Sequence, residues 1–171
     1  PGAPARPPQR RASPRHPSNT DLLDAKEPRA EPPALAAPHA PTKMTKPCLS
    51  ELQSLIDEMH KLAEAGDAHG HALNNTAFHA TVVRASGNKT LLRTWSLLEP
   101  YARTYVTAMV PGTDLVWLGD RHTAIVEALT AGDPEAAAET MRAHAREAEE
   151  LVLAMDESAF TPVDESVPAE V

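Results

Sequence analysis

The placement of proline sets the first limit on what this chain can fold into. Twelve of its 17 prolines lie in residues 1–47. Each proline removes a backbone donor and clashes with the preceding helical turn. Stretches such as Pro4-Ala5-Arg6-Pro7-Pro8 and Pro32-Pro33 therefore cannot sit inside a long helix. Residues 1–19 read as disordered. Asp21-Leu22-Leu23 and Leu35-Ala36-Ala37 are fragments of helical pattern, cut by Pro28, Pro32 and Pro33, and suggest the remnant of a first helix at 20–38. Three regions are expected: a Pro-rich, largely disordered or degenerate segment (1–47), a helical domain (48–157) and an acidic disordered tail (158–171).

Freed of proline, the middle of the chain falls into helical spacing. Ser50 with Gln53 resembles a capping box, followed by Leu52, Leu55, Ile56, Met59 and Leu62. Gly66-Asp67 ends that helix, and a second runs from about Ala68 to Ala85. A third starts near Lys89, and Pro100 kinks or splits it. A fourth starts near Asp114 and carries Leu115, Leu118, His122, Ile125 and Leu129 up to Gly132. Asp133-Pro134 supplies an N-cap acceptor and a proline at the first helical position. The fifth helix then shows Ala137, Met141, His144, Ala148, Leu151 and Met155. No segment alternates with period two. The fold class is all-α, an antiparallel helical bundle with short connections.

Composition narrows the partners. Aromatic residues make up only 4% of the chain, so Leu, Val, Ile, Met and Ala must build the core. Residues 1–47 carry a formal charge of +4 and residues 48–171 carry −12. An acidic domain repels phosphate backbones and is not itself a nucleic-acid reader. The lone Cys48 excludes an internal disulfide framework. With no apolar leader in the first thirty residues and no run of about 20 apolar residues, the expectation is a soluble cytoplasmic protein with no membrane partner.

Histidine placement carries the chemistry. His122 and His144 fall inside apolar stripes, at steps of three and four, so both imidazoles face the bundle interior if the stripes do. The second helix adds His79, with Asn75 one turn earlier on the same face. Buried imidazoles must pair with each other, bond a carbonyl or water, or ligate a metal. Three imidazoles and an oxygen donor suit zinc or another first-row divalent ion; the same residues could equally be satisfied core histidines. His60 belongs on a helix flank, His69 and His71 near a helix start read as solvated, and His16 and His39 fall in the proline-rich region.

Asn75-Thr76-Ala77-Phe78-His79, followed by Ala85-Ser86-Gly87-Asn88, resembles the D-x-x-F-H…a-S-G-N signature of the FCD domain. That domain is the C-terminal effector-binding unit of the FadR branch of GntR transcription regulators. His122, Ile125, Ala128, Leu129, Gly132 and Asp133 resemble its H-x-x-I-x-x-A-L-x-x-G-D motif, and Ala136, Ala137, Met141 and His144 its continuation. The resemblance implies a FadR C-terminal-domain-like bundle around a central ligand cavity. It also implies a divalent metal, zinc or nickel-like, held by an Asp and three His, a small carboxylate effector, and a homodimer. By motif position the ligands are Asn75, His79, His122 and His144.

Two departures follow. Asn75 stands where the pattern has Asp, which leaves the set without an anionic protein ligand. Nothing in residues 1–47 matches the winged helix-turn-helix through which the family contacts DNA, so DNA binding is expected only through a head absent from this chain. Arg93, Arg103 and Arg121 are candidate forks for an anionic ligand, with Tyr105 as a candidate neighbour. Arg84, five residues past His79, points away. Trp95 and Tyr101 either line a cavity or fill core. The function expected is effector sensing and dimerisation rather than catalysis. The alternatives are a metal-dependent hydrolase and a ligand-free helical interaction protein.

Overall fold

The computed structural model describes residues 32–41, 44–98, 100–110 and 112–153, without the side chains of residues 102, 103, 106, 152 and 153. The expected disorder of 1–19 and the acidic tail at 158–171 lie outside the described residues. Among the described residues, the short helical segment at 32–39 is followed by α1 (Lys46–Glu64), α2 (Ala68–Ala85), α3 (Lys89–Leu97), α4 (Pro100–Ala108), α5 (Leu115–Asp120), α6 (Thr123–Ala131) and α7 (Pro134–Leu153). No strand occurs among the described residues.

Capping chemistry places most of the boundaries. A helix leaves its first N–H groups without intrahelical partners, and a short polar side chain satisfies them. Asp67 accepts from Gly70 N at 2.8 Å at the start of α2. Asn88 accepts from Leu91 N at 3.0 Å at the start of α3. Asp133 accepts from Glu135 N and Ala136 N at 2.9 and 3.1 Å at the start of α7, as the Asp-Pro pair predicts. Gly132, at φ 76°, closes α6 in the left-handed conformation that glycine adopts without steric cost.

Two expectations are corrected. The first helix is capped by Thr45, whose hydroxyl accepts from Cys48 N, and not by Ser50. Pro47 falls in the first turn, where its missing N–H costs nothing. The predicted helix from Asp114 to Leu129 is two helices, broken at Arg121-His122.

The main core is one cluster. Leu52, Ile56 and Met59 of α1 meet Phe78 and Val82 of α2, Ile125 and Leu129 of α6, and Ala137 and Met141 of α7. Fully burying side chains of this size stabilises by about 1.5–3 kcal/mol each. Residues 32–36 form a helical turn that continues into the 3-10 helix Ala37–His39. Its small residues Ala34, Ala37 and Ala40 join the main core, while Ala36 packs with Val83 and Trp95. This segment lies on α2 and α7. α2 packs chiefly on α1 and α4 and touches α5, and side chains from α2, from the α5–α6 junction and from α7 meet at one interior corner.

Candidate metal centre

His79 projects from the middle of α2, His122 from the break between α5 and α6, and His144 from α7. Ring centroids stand 5.3 Å apart for His79 and His122, 5.1 Å for His79 and His144, and 4.4 Å for His122 and His144. Each ring offers one nitrogen to a set whose members all lie within 4.8 Å of one another. His122 and His144 are buried and His79 is partly so. Phe78 closes the corner, edge-on to His122 at 4.7 Å and to His79 at 5.6 Å.

The helix break that sequence periodicity missed is what orients His122. A helix that stops leaves its last carbonyls unpaired. His122 Nδ1 lies 3.0 Å from Leu118 O and 3.1 Å from Gly119 O. A carbonyl only accepts, so Nδ1–H is the donor and Nε2 keeps a bare lone pair. Burial holds this ring far below the usual histidine range, at about 3, with the nearby Arg121 charge adding to that effect. It is therefore neutral at pH 7 and aimed by its own helix terminus, which is the outer-shell support that metal-binding imidazoles use. Gly119 was the available signal, because a glycine weakens a helix interior. It also lets α5 approach α1, because a Cβ there would meet His60 Cδ2 at 3.0 Å.

Asn75 sits one turn before His79, with Oδ1 3.3 Å from His122 Nε2. Both atoms present lone pairs to each other. A shared cation removes that conflict, as does a half-turn of the amide that points Nδ2–H at the ring. The donor set of three imidazole nitrogens and an amide oxygen thus fits a divalent first-row metal.

Beside the cluster lies a cavity of about 50 Å³, reached by Asn75, His79, His144 and Arg121 on its polar side. Trp95, Leu98, Leu118 and Met141 give it apolar walls, and Thr104 and Thr107 add hydroxyls. The side chain of Arg121 is only 8% exposed and donates from Nε to Glu147 at 2.7 Å. It also donates to the His144 carbonyl and stacks over Trp117 at 4.7 Å. Arg121 is thus the cation delivered to the cavity wall.

The remaining candidates lie elsewhere. Arg93 is exposed on α3. Tyr105 stacks on Tyr101 and meets His69 edge-on, outside the cavity lining. The side chain of Arg103 lies outside the described residues. Arg84 does point away, and its guanidinium pairs with Glu51 at 2.7 Å. His69 is exposed, with Nδ1 2.7 Å from the Tyr101 hydroxyl. His60 flanks α1 and reaches Asp120 Oδ1 at 2.8 Å. His71 is a correction. It was expected in solvent but is fully buried, and desolvation lowers its pKa. The positions 71, 75, 78 and 82 step by four, three and four, which is the stripe that reveals it.

Residues 34–147 match the FCD domain family. The chain belongs to that family, the effector-binding domain of GntR-type transcription regulators of the FadR branch. It is 36% identical over 94 residues to a probable D-xylose utilization operon transcriptional repressor from Paenarthrobacter nicotinovorans, a match covering 55% of this chain and 42% of the relative. The matched part thus spans less than half of that relative's length. The fold is similar to that of E. coli McbR/YncC, with a TM-score of 0.71 at 18% identity, over 81% of this chain and 70% of the other.

Proposed function

We propose that residues 48–157 form the sensing and dimerising module of a transcription regulator, and that the sensed molecule is a small carboxylate held beside a divalent metal. The observation that carries this reading is the convergence of His79, His122 and His144 on one corner of a small cavity. The cavity suits a ligand of a few heavy atoms with an anionic head. His79, His122, His144 and the Asn75 oxygen hold the metal, which when bound supplies Lewis-acid attraction for a carboxylate oxygen. Arg121 faces the same ligand with N–H groups not spent on Glu147 or the His144 carbonyl. Trp95, Leu98 and Met141 exclude water and select for the ligand's apolar part. The relative's role as a repressor supports a regulatory output. The acidic charge of the domain supports DNA contact through a separate winged helix-turn-helix of the regulator. No described helix is long and apolar enough to cross a membrane.

A hydrolase reading needs a general base near the metal. The described cavity lining carries no Asp or Glu, and the nearby Glu147 is engaged by Arg121.

A thermal-shift screen of divalent metals crossed with small carboxylates tests the sensor reading. A ligand at a hundred times its Kd stabilises the native state by about 2.7 kcal/mol. Several degrees of stabilisation are expected for a metal and carboxylate together, and His144→Ala should abolish them. A flat screen, or equal shifts in the variant, contradicts the proposal.

A further inference from the structure

We infer that Asn75 makes metal occupancy conditional on an anion, so that this domain registers a divalent cation and a carboxylate jointly and neither well alone. The inference rests on the metal reading above and adds the charge balance of the site. His122 is neutral, with its one ring proton committed to Leu118 O and Gly119 O. The fourth donor, Asn75 Oδ1, is an uncharged amide oxygen 3.3 Å from His122 Nε2. Among the described residues, the clustered ligands comprise three histidines and no carboxylate.

A dication entering this corner leaves water without meeting an opposite protein charge. Burying an ion costs several kcal/mol unless it is paired. Arg121 worsens the balance for a lone metal. Its guanidinium lies on the same cavity wall and donates to the carbonyl of His144. Glu147 offsets it only in part, because that carboxylate is half exposed and screened by solvent. The same arrangement favours an anion. A carboxylate in the cavity would face the Arg121 fork on one side and the metal on the other, cancelling charge that the protein leaves uncancelled. Metal and anion then raise each other's affinity by the same factor, as thermodynamic linkage requires.

The experiment uses the full chain, with Co²⁺ as metal and acetate as anion, in a perchlorate background whose anion coordinates weakly. Calorimetry measures Co²⁺ affinity with and without saturating acetate, and acetate affinity with and without saturating Co²⁺. The expected result is a gain of about tenfold or more in both directions. Asn75→Asp, nearly identical in shape, should bind Co²⁺ without acetate and lose most of the gain. Should that variant fail to fold, the two reciprocal measurements on the unaltered chain decide. Equal Co²⁺ affinity with and without acetate overturns the inference and leaves the metal site standing. Failure of both proteins to bind Co²⁺ under any condition overturns the metal reading and the inference with it.

Discussion

His122 and His71 are both fully buried and both held below the usual histidine range, chiefly by desolvation. Their surroundings differ. His122 lies where a helix ends, and the carbonyls of Leu118 and Gly119 accept from its Nδ1–H. His71 lies inside an unbroken helix, α2. The Leu115 backbone is near enough to influence its charge, but neither ring nitrogen has a well-formed hydrogen bond among the described residues. A buried imidazole is thus useful where a helix terminus supplies acceptors and costly where the neighbouring ladders are complete. About two turns of α2 separate His71 from Phe78, the ring that backs His122, and a charge on His71 is still felt at His122.

The largest effect should come from Phe78→Ala. It removes the ring that closes the histidine corner and leaves a cavity in the main core, at a cost of about 3–5 kcal/mol by urea denaturation. A loss below about 1 kcal/mol would mean that the corner does not depend on this packing.

The comparison itself breaks or holds on a pair of substitutions. His122→Leu leaves the Leu118 carbonyl without its donor, while Gly119 O keeps the backbone N–H of residue 122, and should destabilise by about 1–3 kcal/mol. His71→Leu removes a poorly satisfied buried group of similar bulk and should be neutral or stabilising. Equal losses in the two variants would show that His71 is as well partnered as His122.

The third test lies in the pH profile. Because both rings have pKa values lowered in the fold, the unfolded chain binds more protons below about pH 6.5. Stability is therefore full above that pH and declines as pH falls from 6.5 towards about 3 for His122. The slope is up to about 1.4 kcal/mol per pH unit from His122, with a further share from His71. His71→Leu should make the decline shallower in denaturation midpoints measured across this range. An unchanged slope in that variant would remove His71 from the account.

Much of this was legible in the sequence because it is written in period. The stripes around Leu52, Ile125 and Met141, the Asp133-Pro134 start and the Gly132 stop mark real elements. His122 and His144 were visible as polar residues inside apolar stripes, and the resemblance to the FCD pattern joined them to His79. The break at Arg121-His122 was hidden because the spacing from Leu118 to Ile125 runs through it undisturbed. Periodicity reports which face is buried, not whether the backbone ladder is continuous. His71 was misread because its nearness to a helix start suggested exposure, yet α1 and α5 cover that end of α2. In residues 32–47 the helical fragment at Leu35-Ala36-Ala37 was legible despite its prolines. Pro47 starts a helix, and Pro32 and Pro33 are buried in a short segment that needs few ladder bonds.

The segment 32–40 is fastened to the bundle largely by methyl groups, those of Ala34, Ala36, Ala37 and Ala40. Alanine has no rotamers through which to absorb a shove. This stretch rests on α7, the helix that bears His144, while Pro33 forms part of the cavity wall. A sideways step of α7 would therefore press directly on residues 32–40, which have few side-chain rotations with which to absorb it.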